Sequence, residues 1–237
     1  MSRHLLLVSN STEHGRGYLD HVEARLRSLL GAVRTALFVP FALFDRDAYA
    51  AKAAARLAAM GIALESIHRD ADPGARIAGA EAIFVGGGNT FRLLHALHEL
   101  DLIAPIRRRV AEGAPYVGSS AGSIVACPTL KTTKDMPILQ PRSFDALGLV
   151  PFQISPHYLD PDPSSRHMGE TQEERILQFL EENDRPVIGL REGAFLVVNG
   201  SATLLDGSAP ARIFRRGRPP LEAAPGSRLD FLLEESP

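Results

Sequence analysis

This chain of 237 residues has one cysteine, almost no net charge and no long apolar run, and each shortage removes a class of function. With Cys127 as the sole thiol, no intrachain disulfide framework can form. Cys127 lies about two helical turns beyond Ser120 in an apolar stretch, so it reads as a buried core thiol rather than a nucleophile. A formal charge of −2 and a pI near 6.5 imply no basic surface for nucleic acid. No stretch approaches the roughly 18 apolar residues of a membrane span, and Leu5-Leu6-Leu7-Val8 is too short for a signal peptide. Also missing are the phosphate-loop pattern G-x-x-x-x-G-K-[ST], a dinucleotide G-x-G-x-x-G with its acidic partner, and H-E-x-x-H or other clustered metal-ligand spacing. The expectation is a soluble cytoplasmic protein with no metal and no cofactor. At 45% hydrophobic and 23% charged residues the balance is that of an ordinary globular chain. It is long enough to bury a sizeable core. No internal repeat or convincing linker divides it, so residues 1–237 are expected to form a single domain.

What is present is glycine in two informative places. Gly118-Ser119-Ser120-Ala121-Gly122 is a G-x-S-x-G pentapeptide. The short apolar segment Ala114-Pro115-Tyr116-Val117 precedes it, and Ser123-Ile124-Val125-Ala126-Cys127 follows as the first turns of a helix. Strand, sharp turn and helix form the context in which this motif exposes a serine nucleophile. The helix start also offers free backbone N–H groups beside the serine oxygen. The second cluster, Gly86-Gly87-Gly88-Asn89-Thr90, joins the apolar run Ala82–Val85 to a helical stretch. Three glycines let the backbone approach a ligand closely and turn N–H groups toward it. One of those groups is a candidate for the second half of an oxyanion hole.

Strand and helix patterns alternate through the first half. Strands are expected at 5–8, 35–39, 62–67, 83–85 and 116–117, and helices at 18–30, 45–60 and 90–112, with Gly61 ending the second helix. Such alternation implies an α/β fold, a parallel sheet covered by helices on both faces, with ligands at the carboxyl ends of the strands. Both glycine turns lie at such ends. The second half reads as a loop at 129–142, a strand at 152–155 leading into Pro156-His157, a polar loop at 159–166, a helix at 170–182, and strands at 186–190, 195–198, 202–205 and 211–215. Asn199-Gly200 and Asp206-Gly207 are hairpin signals, so C-terminal β-hairpins are expected.

A serine nucleophile needs a base, and the base needs an acid to hold its tautomer. Of eight histidines, His157 follows a strand at its carboxyl end, behind a proline that restrains the backbone. His14, in a loop near the carboxyl end of the first strand, is the competitor. His4 is at the wrong strand end; His21, His95 and His98 fit helix surfaces; His68 is near a strand end; His167 is in the polar loop. Two acids compete as orienter. Glu192 ends a strand on the active-site edge, and Asp135 lies in the loop after the elbow helix. The residue pattern leaves both open.

Together these residues resemble peptidase E, the aspartyl dipeptidase family of serine peptidases. The likeness runs in one order through Val8-Ser9-Asn10-Ser11-Thr12, Gly86-Gly87-Gly88-Asn89-Thr90-Phe91, Ser120-Ala121-Gly122, Cys127-Pro128-Thr129, Asp135-Met136-Pro137, Phe144-Asp145-Ala146-Leu147, Pro156-His157 and Ile188-Gly189-Leu190-Arg191-Glu192-Gly193. The resemblance implies Ser120 as nucleophile, His157 as base, and Asp135 or Glu192 as third member. It implies an oxyanion hole from the N–H groups of Gly88 and Ala121. The implied fold is a parallel-sheet three-layer sandwich resembling class I glutamine amidotransferase domains. The chain order Ser, His, Glu differs from the Ser, acid, His order of α/β-hydrolases. The implied substrates are short peptides with an N-terminal aspartate; self-association is left open.

One position departs. In the family pattern the helix after the Pro-His loop opens Gly-Glu-Thr-Arg, and that arginine helps to recognise the aspartate carboxylate. Here the run is Gly169-Glu170-Thr171-Gln172-Glu173-Glu174-Arg175. Gln172 can hydrogen-bond a carboxylate but brings no charge, and Arg175 is one turn further on. Asn89, Gln172 and Arg175 are the candidate substrate-binding side chains, and strict aspartate preference no longer follows. Two rival readings remain: a same-clan peptidase acting on aspartyl polymers such as cyanophycin, and a non-catalytic α/β protein that binds a small molecule at the glycine turns.

Overall fold

The computed structural model describes residues 3–166 and 168–234, so His167 lies outside the described residues. The large sheet is built from β1 (His4–Val8), β2 (Thr35–Val39), β3 (Ala63–Ser66), β4 (Ala82–Val85), β5 (Tyr116–Ser119), β8 (Ala194–Asn199) and β9 (Ala202–Gly207), in the order β3-β2-β4-β5-β1-β8-β9. The first five of that order run parallel, and the last two add antiparallel strands at one side. β2, β4, β5 and β1 are buried almost throughout, which is why they read as unbroken apolar runs. The edge strand β3 is half exposed.

Alternate side chains feed two core layers. Leu6, Val8, Phe38, Phe84 and Val117 pack with α1 (Glu23–Leu29) and α2 (Arg46–Ala58). Leu5, Leu7, Leu37, Val39, Ile83, Val85 and Tyr116 face the other side, against α3 (Pro73–Ala78), α4 (Thr90–Glu99), α5 (Ile103–Ala111) and α6 (Ala121–Ala126). This is a three-layer α/β sandwich with a mostly parallel central sheet. A second sheet, in the order β11-β10-β7-β6, joins β6 (Gln153–Pro156), β7 (Val187–Leu190), β10 (Ala211–Arg215) and β11 (Arg218–Ala223). Its inner side chains Ile154, Ile188, Leu190 and Ile213 enter the main core. On its other side, Val187 and Phe214 pack on Ile176 and Leu180 of α7 (Gln172–Glu182). The short α6 touches β1 and β5 of the large sheet and β6 of the small one, so it lies between the two.

Several elements differ from the sequence expectation, each for a physical reason. The helix expected over 18–30 begins as a 3₁₀ turn at Asp20–Val22, because Leu19 sits at φ 59° with its N–H on the Ser11 carbonyl. The stretch 90–112 divides into α4 and α5 at Asp101, φ 51°. Pro105 then falls in the first turn of α5, where its missing N–H costs nothing. Asp206-Gly207 does not make a hairpin: β9 and β10 belong to different sheets, and the chain crosses between them there. The hairpins formed are β8–β9 and β10–β11. α3, capped by the Asp72 side chain with Pro73 at its start, is too short to show periodicity. β11 was masked by Pro219 and Pro220, which an edge strand tolerates.

Candidate active site

The elbow sits where β5 becomes α6. Ser120 has φ 51° and ψ −107°, a backbone state that non-glycine residues rarely adopt. Its N–H donates to the Val8 carbonyl at 2.9 Å. The Ser123 hydroxyl donates to the Val8 and Gly118 carbonyls, both at 2.8 Å, and locks the turn from below. The flanking glycines are sterically required. A Cβ on Gly118 would lie 2.6 Å from the Gly122 carbonyl oxygen, and one on Gly122 would run into the Val85 carbonyl. The strain is therefore held by surroundings that leave no alternative.

The candidate base arrives from the other sheet. His157 directly follows β6, and it too has a positive φ, 51°. Its Nε2 lies 2.9 Å from Ser120 Oγ, and its Nδ1 lies 2.7 Å from Glu192 Oε1. Glu192 stands two residues after β7, the strand paired in parallel with β6. A carboxylate facing Nδ1 accepts the hydrogen bond of a proton held there and leaves the Nε2 lone pair for the serine hydroxyl. Two residues at the end of β1 tie this assembly together. Ser9 Oγ donates to the Leu190 carbonyl at 2.7 Å and accepts the His157 N–H at 2.9 Å. Asn10 Oδ1 accepts the Gly193 N–H at 2.8 Å. These roles were not anticipated from the sequence, although Ser and Asn directly after a central strand were a usable signal.

Asp135 has different partners. Its Oδ2 accepts from the Thr90 N–H at 2.7 Å and from Thr90 Oγ1 at 2.6 Å, at the start of α4. There a carboxylate is favoured by the free N–H groups of the helix end. Asn89 caps the same helix through the Arg92 N–H at 3.0 Å and donates to the Met136 carbonyl at 2.9 Å. Both ends of Asn89 are thus engaged in fixing the 129–142 loop. Gly88 has φ 133°, and a Cβ there would meet the Ala42 carbonyl at 2.7 Å. The Gly88 and Ala121 N–H groups have no hydrogen-bond acceptor among the described residues.

The remaining candidates are distributed as follows. Gln172 donates to Ser155 Oγ at 2.8 Å and accepts from the Leu159 N–H at 3.0 Å and Lys134 Nζ at 3.3 Å. Lys134 also donates to the His157 carbonyl at 2.9 Å, and burial pulls its ammonium pKa below the ordinary lysine value. Arg175 is exposed, 3.7 Å from Glu170. Arg191 is clamped by Asp160, at 2.8 and 2.6 Å, and by Glu222, at 3.0 and 3.1 Å. His14 is exposed, and the serine hydroxyl is paired with His157. Cys127 is fully buried, and burial drives its thiol pKa far upward, away from nucleophilic use.

A cavity of about 810 Å³ opens over Ser120, His157, Asp135, Gly87 and Gly88. Its outer wall comes from Tyr18, from Phe44 before α2, and from Ala48, Tyr49 and Lys52 on α2. A second depression of equal volume, near Arg3, Arg107 and Arg142, contains none of these site residues. Among the described residues no cluster of three or more His, Cys, Asp or Glu could hold a metal ion, and no helix is long and apolar enough to cross a membrane.

The arrangement is suited to acyl transfer: a half-buried hydroxyl at the floor of a cavity, an imidazole on it, an acid behind the imidazole, and unpaired N–H groups beside it. Comparison with known proteins agrees. The family model described as Peptidase family S51 matches residues 5–205. "Peptidase E" of Streptomyces coelicolor is 54% identical over 230 residues, covering 97% of this chain and 95% of that protein. A "Probable alpha-aspartyl dipeptidase" of Drosophila melanogaster is 47% identical over 237 residues, covering 99% of each. Among solved structures, a peptidase from an acI-B1 actinobacterium superposes with a TM-score of 0.74 at 18% identity, covering 97% of both chains, a likeness of fold alone.

Proposed function

The chain belongs to peptidase family S51, and on that premise we propose that it is a serine dipeptidase working through Ser120, His157 and Glu192, with a preference for N-terminal aspartate. The observation that carries this reading is the unbroken contact series Ser120 Oγ to His157 Nε2 and His157 Nδ1 to Glu192. Ser120 Oγ attacks the peptide carbonyl while its proton passes to His157 Nε2. The carbonyl oxygen, now negative, is received by the N–H groups of Gly88 and Ala121. His157 then delivers the proton to the leaving amine, and an acyl-enzyme remains on Ser120. Water, deprotonated by His157, releases the acid and restores the serine. Glu192 holds the imidazole in the productive tautomer and offsets the charge of the imidazolium. Asp135 serves as an anchor of the 129–142 loop on α4.

The aspartate preference is modest in this reading. A side-chain carboxylate that leaves water needs a cation or several aimed donors. Gln172 supplies no charge, Arg175 stands beside Glu170, and Arg191 already holds two carboxylates. Lys134 brings a charge beside Gln172 but is shared with the His157 carbonyl. Discrimination of Asp-Leu over Ala-Leu is expected on the order of tenfold to a hundredfold in kcat/KM. The test is a dipeptide panel with purified protein and quantified product amines. Hydrolysis of Asp-Leu, with that ratio to Ala-Leu, is the expected result. A preference of about four powers of ten would mean a dedicated carboxylate site and overturn the modest estimate. No hydrolysis of any dipeptide would overturn the function.

A further inference from the structure

The cavity over Ser120 holds one cation among its described lining residues, Lys52. It stands on α2 one turn beyond Ala48 and Tyr49, so one face of that helix supplies three lining residues. Its ammonium lies 4.7 Å above the centre of the Tyr18 ring, a cation–π placement. Tyr18 is itself only 8% exposed and meets Tyr49 edge to face, with ring centres 6.5 Å apart, while Tyr49 rests edge-on against Phe38 at 5.0 Å. The support under the ammonium is therefore a packed aromatic stack that continues into the core.

The acids that share the cavity have other partners. Asp45 caps α2 through the Ala48 N–H at 2.9 Å, and Asp135 accepts both donors of Thr90. Among the described residues no carboxylate stands within ion-pair distance of Lys52. Arg191 and Arg212, by contrast, are each paired with carboxylates. A lysine seated on an aromatic ring, lining the same cavity as Ser120 and lacking an internal anion, is arranged to take an anion from outside.

We propose that Lys52 is a specificity-determining residue that receives a carboxylate of the bound peptide. The inference rests on the dipeptidase reading above and deepens it. An aspartyl dipeptide offers two such groups, the aspartate side chain and the free C-terminal carboxylate. The chemistry is the same for both: one charge-assisted hydrogen bond from an ammonium whose orientation the aromatic stack has already restricted. If the C-terminal carboxylate is the one held, Lys52 measures peptide length, because a third residue would displace that charge from its receptor. If the side chain is held, Lys52 carries the aspartate preference that Gln172 cannot.

The experiment compares wild type, Lys52→Gln and Lys52→Arg on Asp-Leu, Asp-Leu amide and Asn-Leu. Lys52 is exposed on α2, and glutamine is a good helix former, so the variants should fold. On Asp-Leu, Lys52→Gln should raise KM by roughly tenfold to a hundredfold with kcat little changed, and Lys52→Arg should recover most of the loss. A loss that disappears with the amide and persists with Asn-Leu assigns the C-terminal carboxylate. A loss that persists with the amide and disappears with Asn-Leu assigns the side chain. Unchanged KM on Asp-Leu, or an equal loss on all three substrates, overturns the proposal. Calorimetric binding of Asp-Leu to Ser120→Ala, with and without Lys52→Gln, separates the two readings. If wild type cleaves no dipeptide yet Lys52→Gln weakens this binding tenfold or more, the function fails and the carboxylate receptor stands. Equal binding in both backgrounds removes the receptor whatever the activity.

Discussion

The large sheet and the small sheet contribute to the site in opposite ways. The large sheet supplies Ser120, Gly88 and Ala121 from two strand-to-helix turns whose geometry is enforced by close backbone packing. The small sheet supplies His157 and Glu192 from the ends of two neighbouring parallel strands, in a more open setting held by polar and charged contacts. The proposed nucleophile is thus fixed by sterics, and the proposed base by hydrogen bonds across a seam. Ser9 is the seam's main fastening, since its one hydroxyl joins β1 to the Leu190 carbonyl and to the His157 N–H. Mutations on the two sides should therefore differ in kind as well as in size.

The largest expected effects come from the reacting pair. Ser120→Ala and His157→Gln should each lower kcat by several powers of ten, and by similar amounts, because the two side chains act as one unit. Their thermal midpoints should stay within a few degrees of wild type. Next come the two acids, which sharpen the comparison. Glu192→Gln should cost about a hundredfold or more in kcat with little change in stability, as the tautomer support is lost. Asp135→Asn should instead cost roughly 1–3 kcal/mol of stability by weakening the anchor on Thr90, measurable by denaturant unfolding, with a smaller loss in kcat. A reversed pattern would make Asp135 the orienter.

Breaking the seam itself should give an intermediate result. Ser9→Ala removes both contacts while leaving every reacting group in place, so kcat should fall roughly tenfold and stability by about 1–3 kcal/mol. Acid should act on the small-sheet side first. The Arg191 guanidinium holds the Asp160 carboxyl below the usual aspartate range. A depressed carboxylate contributes stability above its unfolded pKa of about 3.9, and that contribution is lost as pH falls through the lower folded value. Hydrogen exchange around residues 158–160 should therefore accelerate below about pH 4 before exchange in β1 and β5 does. Arg191→Leu should remove that difference. The smallest effect belongs to Ser119→Ala. Its hydroxyl is buried without a hydrogen-bond partner among the described residues, so the change should be neutral or slightly stabilising and leave activity near wild type.

The same contrast explains what the sequence made legible. β1, β2, β4 and β5 are buried on both faces, so their apolar runs mark them directly, and the elbow is a local pattern whose neighbours in sequence are its neighbours in space. Ser120 is identifiable for that reason. The division into two sheets is not, because β9 and β10 look alike along the chain and their separation depends on pairing partners far away. Glu192 follows a strand that ends on the active-site edge, and Asp135 lies in the loop after the elbow helix, so either could reach the site. Only the register of β7 beside β6 and the pull of Thr90 on Asp135 separate their contacts. Lys52 gave no local signal, since it is one of four charged residues in an alanine-rich helix and its seat is Tyr18, far away in the chain.

In the proposed mechanism a hydroxyl from one sheet is made nucleophilic by an imidazole from the other. The most direct measurement is mass-spectrometric mapping of the adduct left by a fluorophosphonate probe on wild type, Ser120→Ala and His157→Gln. One adduct on Ser120 is expected in the wild type, none in Ser120→Ala, and labelling slowed by orders of magnitude in His157→Gln. An adduct on another residue, or dipeptide turnover that survives in Ser120→Ala, would contradict it.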